Sequence, residues 1–176
     1  MGLSGESGAM SWVLRAMRFA GLALLFSAAL MSRPAVADEH SATALTLSRG
    51  PGAQTLELTL ENLAALPQTT VVTENEFSNG LVAYRGPLAR DVLNQLSLME
   101  FESVRFIAAN DYFVEIPTED FRRYDVILAM EADGAPLARR DKGPIWLMYP
   151  ISDHEELGDP IYIHRLIWQV VRIEPS

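Results

Sequence analysis

Cysteine is missing altogether from the 176 residues. That absence removes disulfides, thiolate nucleophiles, thiolate metal ligands and iron–sulfur clusters together. Histidine is scarce, with three residues. His154 lies in Asp153-His154-Glu155-Glu156 and His164 in Tyr162-Ile163-His164-Arg165; neither has a second histidine at helical ligand spacing. No metal ligand is therefore assigned. Basic residues are outnumbered, 14 Lys and Arg against 23 Asp and Glu, for a net charge of −9. Such a surface repels nucleic acid and anionic lipid at long range, so nucleic acid is excluded as a partner. The chain holds no Gly-x-Ser-x-Gly, no His-Glu-x-x-His, no P-loop and no Gly-x-Gly-x-x-Gly. Carboxylates are so plentiful that their pairs single out no catalytic site. The N-terminal apolar run, Phe19 to Met31, has 13 residues, short of the roughly 20 that a membrane-spanning helix needs.

What is present around that run is ordered like a secretory signal. Arg15 and Arg18 precede it, and Ala35-Val36-Ala37 follows as a small-residue exit. Residues 1–37 are read as a signal peptide, cut after Ala37, and the product as secreted or periplasmic, with no stable membrane span. The cut removes Arg15, Arg18, Arg33 and Glu6, leaving 11 of the 14 basic and 22 of the 23 acidic residues. It also exposes Asp38-Glu39-His40. An amine, two amides and a third-position imidazole form the square-planar nitrogen set that Cu(II) and Ni(II) favour. The alternative is a terminus that tolerates any sequence and carries a histidine by chance.

Residues 38–54 are polar and punctuated by Arg49-Gly50-Pro51-Gly52, and read as a flexible leader before a domain over 55–176. Leu56-Glu57-Leu58 alternates like a strand. Thr59 offers an N-cap for a short helix carrying Leu60, Leu63 and Leu66 and stopped by Pro67. Thr69 to Thr73 reads as a strand, and Asn79-Gly80 as a hairpin turn. Pro87 suits the first position of a helix that places Leu88, Val92, Leu93 and Leu96 on one face. Strands are expected over Val104–Ala109 and Tyr112–Ile116, joined at Asn110-Asp111, with Thr118 capping a helical turn to Arg123. Further strands are expected over Val126–Met130, Ile145–Tyr149 and Ile167–Ile173, with an acidic loop over residues 151–160. Strands outnumber helices without alternating regularly with them, which defines an α+β class with a mixed β-sheet.

Two stretches are candidate sites. Arg139-Arg140-Asp141-Lys142 stands before Gly143-Pro144. Guanidinium forks suit phosphate or carboxylate, and glycine lets backbone approach a ligand. The same run also suits a solvated hairpin tip. Asn110-Asp111-Tyr112 could offer hydrogen-bonding groups at a strand end, yet Asn and Asp are also the residues tight turns prefer. Tyr112, Trp146 and Trp168 are scattered aromatics that suit core or rim better than a stacking platform.

The order of the motifs adds a family. Arg85-Gly86-Pro87-Leu88-x-x-Asp91-Val92-Leu93 comes first, then Ala109-Asn110-Asp111-Tyr112 with Ile116-Pro117. Ile127-Leu128-Ala129, Asp133-Gly134-x-Pro136-Leu137, Lys142-Gly143-Pro144 and Trp168 follow. From about Leu56 to Ile173 this order resembles the molybdopterin-binding domain of the sulfite oxidase family. The resemblance implies a mixed α+β fold of several sheet layers, with the Asn110 segment as a turn beside a cofactor cleft. Molybdopterin is the cofactor it implies, and Arg85, Asn110, Asp111, Tyr112, Arg139, Arg140, Lys142 and Gly143 are the candidate residues to hold it. It also implies departures. The family's enzymes ligate molybdenum through a cysteine after an early strand, and the similar place here is near Thr73, a hard oxygen donor. Lys142 stands where the family often has His, Trp146 where it often has Arg, and Ile167 where it often has Lys.

The expected function is therefore an exported, non-catalytic binding or accessory module on this fold. Its expected partner is a small anionic ligand, a pterin or another exported protein. A molybdopterin-dependent oxidoreductase with an unusual metal ligand and a structural interaction protein remain as alternatives.

Overall fold

The computed structural model describes residues 42–176. The expected signal peptide and the Asp38-Glu39-His40 terminus lie outside the described residues.

Strand β1 (Thr43–Ser48) buries Leu45 and Leu47 completely and pairs antiparallel with β2 (Thr55–Thr59). It therefore corrects the reading of 38–54 as a flexible leader. Ala44-Leu45-Thr46-Leu47 places two leucines on one pleated face, but its second partner is the last strand of the chain, β11 (Val170–Pro175), which lies parallel to it. The Gly/Pro stretch that suggested a leader is the tight connection between β1 and β2, with Gly50 at φ 121 and Gly52 at φ 69.

The helix after β2 is α1 (Leu60–Ala64), and its start is as expected. The Thr59 hydroxyl accepts the Asn62 N–H at 3.1 Å, and the Asn62 side chain accepts the Thr59 N–H at 3.0 Å. Next, β3 (Gln68–Thr73) pairs antiparallel with β4 (Val82–Pro87), Thr73 opposite Val82. Asn79-Gly80 is thus no two-residue hairpin turn. It lies in an eight-residue loop over 74–81 that side chains hold together: the Phe77 N–H donates to the Asn75 carbonyl oxygen of the side chain, and the Asn75 N–H to the Ser78 hydroxyl.

Pro87 is also placed differently. It ends β4, Leu88 is the N-cap, and α2 runs Ala89–Asn94. The extended backbone is held to Leu88 by a bridge to Ile127 in β7 (Ile127–Ala129), and the Ala89 N–H donates to the Val126 carbonyl at 2.8 Å. Gly86 lets β4 and β7 touch: a Cβ there would stand 1.9 Å from the Leu128 carbonyl oxygen.

Strands β5 (Ser103–Ala108) and β6 (Phe113–Pro117) form the expected hairpin. Its turn carries Asp111 at φ 64, and the Tyr112 N–H donates to the Asn110 side chain at 3.2 Å. Helix α3 (Thr118–Arg123) follows, but with Pro117 as its N-cap; the Thr118 hydroxyl instead donates to the Phe101 carbonyl at 2.7 Å. After β7 come the short strands β8 (Glu131–Ala132) and β9 (Ala135–Pro136), turned at Asp133-Gly134, then β10 (Trp146–Met148) and α4 (Pro160–Ile163).

These elements make a five-stranded sheet in the order β2-β1-β11-β5-β6, a four-stranded sheet β3-β4-β8-β9 and a pair β10-β7. Among the described residues only the pair β1–β11 is parallel, so the fold is α+β with a mixed sheet. Phe106, Phe121, Tyr124 and Tyr149 are its largest fully buried side chains.

Candidate functional site

Three segments far apart in sequence enclose one cleft of ≈ 320 Å³. The β5–β6 turn supplies Ala108, Asn110 and Tyr112. The loop after β3 supplies Glu76 and Phe77, and the stretch after α4 supplies His164 and Trp168 over a floor of Ile163, Leu166 and Ile167. Phe77 and Trp168 stand edge to face with centroids 5.1 Å apart. Both stay over a third exposed, and Tyr112 is 55 % exposed, although large aromatics in small domains are mostly covered. Trp146, by contrast, is core, 3 % exposed, with its ring 5.4 Å from Tyr84 and its N–H donating to the Leu166 carbonyl.

The candidates read from sequence divide. Asn110 and Tyr112 line the cleft. Asp111 adopts the left-handed turn conformation and is not among the lining residues. Lys142 lies at its margin: its ammonium sits 5.4 Å from the centre of the Phe77 ring and 5.2 Å from that of Trp146, and makes no ion pair among the described residues. Arg140 is solvent-exposed beside its neighbour Asp141, and the Arg139 carbonyl accepts from the Gln169 side chain at 2.7 Å. Arg85 pairs with Glu131 at 3.2 Å, and alternation along β4 puts it on the face opposite Tyr84 and Trp146. Gly143 is buried against chain: a Cβ would lie 1.9 Å from the Leu137 carbonyl oxygen. Its smallness serves packing between two backbone stretches. Glu76, Phe77, His164 and the cleft role of Trp168 were not legible beforehand, because no local motif joins residues 76, 110 and 168.

The resemblance in sequence puts the family's metal ligand near Thr73. Thr73 is fully buried at the end of β3. Its hydroxyl accepts the Ser152 N–H at 3.0 Å and lies 3.2 Å from the Ser152 hydroxyl, which in turn accepts the Glu74 N–H at 3.0 Å. This oxygen is a clasp between β3 and the one-turn helix Ile151–Asp153. Among the described residues no group of three His, Asp or Glu side chains could hold a metal ion, and no helix is long and apolar enough to cross a membrane.

The described residues thus form an α+β domain of three sheets, with an aromatic-rimmed cleft where the β5–β6 turn meets the entry to β11. Residues 34–152 match the family described as the oxidoreductase molybdopterin binding domain, and the chain belongs to that family. Among solved structures, the sulfane dehydrogenase SoxCD from Paracoccus pantotrophus resembles it with a TM-score of 0.52 and 20% identity. The match covers 74% of this chain and 37% of that one, so the chain spans well under half of that relative's length. At this identity the likeness is one of fold. No curated protein matches the sequence.

The residues present do not fit the family's metal-bearing cofactor. The chain has no thiolate, the Thr73 oxygen is locked into the Thr73–Ser152 clasp, and Trp146 and Ile167, which stand in the resemblance where the family often has Arg and Lys, are core, both 3 % exposed. Burying a phosphate without matched donors costs several kcal/mol.

Proposed function

We propose that the protein is an exported, non-catalytic binding or accessory module that keeps the molybdopterin-binding fold and uses its cleft for a small ligand on behalf of a partner protein. The observation that carries this reading is the Thr73 hydroxyl. A metal ligand must point a free donor into a cleft, and this oxygen is fully buried and hydrogen-bonded to Ser152. The cleft itself persists, open and aromatic, which supports retained binding. Export rests on the order Arg15-Arg18, Phe19–Met31 and Ala35-Val36-Ala37.

Family membership favours a second reading, an oxidoreductase that binds molybdenum without cysteine. Elemental analysis and a pterin fluorescence assay separate the two, on protein made and exported in a host with active molybdenum-cofactor synthesis. The module reading expects folded protein without stoichiometric molybdenum. Stoichiometric molybdenum with pterin would establish the second reading, and pterin without metal would define the module's ligand.

A further inference from the structure

The charge of the cleft is at odds with an anionic ligand. Among the described residues neither lysine nor arginine lines it, Lys142 standing only at its margin, and Glu76 is the one acidic lining side chain. Glu76 makes no ion pair among the described residues, and the remaining surface is mainly aromatic and aliphatic. Phe77 and Trp168 pack edge to face at an interplanar angle of 77°, so the two exposed rings stand perpendicular rather than as a flat platform. Tyr112 stands 55 % exposed on the lining, from the other strand turn. Exposed aromatic rings beside a carboxylate attract a cation through their negative faces and through direct charge.

Lys142 supports the point from within the structure. Its ammonium already rests over Phe77 and Trp146, without a carboxylate partner among the described residues. These rings therefore hold a cation on one side. The field of the whole chain acts in the same direction, since a net charge of −9 raises the local concentration of cations and lowers that of anions. The cleft volume, ≈ 320 Å³, is at the small end of ligand pockets, which run ~300–1,000 Å³.

We infer that the cleft binds a small organic ammonium ion, with its alkylated nitrogen against Phe77, Trp168 and Tyr112 and its charge answered by Glu76. This rests on the reading of the cleft as the binding site, and names the ligand class for it. The floor of Ile163, Leu166 and Ile167 suits the alkyl body, and Asn110 and His164 offer hydrogen bonds to a polar end.

The test is calorimetric titration of the exported protein at fixed ionic strength with choline, with its uncharged carbon isostere 3,3-dimethyl-1-butanol, and with inorganic phosphate. Choline is expected to bind at one site, and the isostere about three- to thirty-fold more weakly, the range of a partly desolvated cation on aromatic rings. Glu76→Gln, at an exposed position, is expected to weaken choline by roughly two- to five-fold, as an exposed ion pair would. Trp168→Leu replaces the aromatic ring with an aliphatic side chain and should weaken choline more than it weakens the isostere. Equal binding of choline and isostere, no saturable choline binding, or phosphate binding that Lys142→Ala abolishes would each overturn the inference. Molybdenum content is measured on the same preparation. Stoichiometric metal sinks the module reading whatever choline does, while metal-free protein that ignores choline sinks only the ligand class.

Discussion

Removing the charge of Asp120 should unfold the protein more easily and loosen the cleft from a distance. Asp120 lies on α3, 8 % exposed, and one of its oxygens accepts two hydrogen bonds: from the Tyr149 hydroxyl at 2.7 Å and from the Arg165 guanidinium at 2.5 Å. The side chains of Arg165 and Asp120 are 14% and 10% exposed. Arg165 also packs over the Tyr162 ring and falls in the middle of the stretch from Ile163 to Trp168 that floors the cleft. Three elements thus depend on one carboxylate: α3, the end of β10 and the cleft floor.

Asp120→Asn keeps the shape and can still accept from Tyr149, but leaves Arg165 without its counter-charge. Breaking a buried pair at one side costs about 3–5 kcal/mol. Arg165 keeps some solvent contact at its exposed edge, so the lower end applies, about 3 kcal/mol. That is a large part of the ~5–15 kcal/mol by which a domain is stable. For a domain of this size it corresponds to a fall in Tm of roughly 10 °C. The assay is thermal and urea unfolding of Asp120→Asn, Arg165→Met and the double variant. The double variant should recover part of the loss, because it leaves no unpaired charge, and choline affinity should fall in Asp120→Asn even though Asp120 does not line the cleft. A Tm for Asp120→Asn within about 1 °C of the parent would refute the reasoning, since that is less than ~0.5 kcal/mol.

Two further outcomes are expected. Gly86→Ala would push a methyl to 1.9 Å from the Leu128 carbonyl, separating β4 from β7 and costing ~1–3 kcal/mol or more in urea unfolding, whereas Gly134→Ala meets no atom within 4 Å and suffers only from its φ of 78. Burial, with Tyr162 beside it and a hydrogen bond to Glu156, pushes the Tyr124 hydroxyl up to about 12; the raised folded value means that this stability is full below pH 10 and is lost as pH rises through about 12, so a Tm–pH profile should fall there and Tyr124→Phe should flatten it.

Strands with local alternation were legible from sequence, because a period of two needs only neighbours. Leu56-Glu57-Leu58 and Phe113 to Ile116 lie in strands as that pattern requires. What failed were assignments decided by distant partners. The residues of β1 look like a leader in the sequence because Thr46 finds its parallel partner Arg172 only at the far end of the chain. Pro87 was read as a helix start because its fixed φ suits one, yet the Leu88–Ile127 bridge keeps the chain extended. The basic run Arg139-Arg140-Asp141-Lys142 was half legible: charge could be read, but not that Arg140 would pair with its neighbour while Lys142 folded over Phe77. Asn110 and Tyr112 were legible as a turn, and their position on the cleft follows from Ala109 donating to the Gln169 carbonyl, a contact between the turn and the entry to β11.

The residues that depart from the family's pattern are coupled by packing. Trp146 fills the core against Tyr84 and sits 6.1 Å from Phe77 and 6.5 Å from Trp168. An arginine there would put a guanidinium among rings in a site 3 % exposed, which is costly unless an anion is bound beside it. Ile167, equally buried, closes the same floor without charge. The Thr73 hydroxyl is sealed by Ser152, as the module reading requires of a position that holds no metal. On the module reading each departure weakens an anion or metal site, and Trp146 joins Tyr84, Phe77 and Trp168 in one aromatic cluster. Returning a single residue, such as Trp146→Arg, would therefore restore no cofactor site; it would leave a buried cation without a partner.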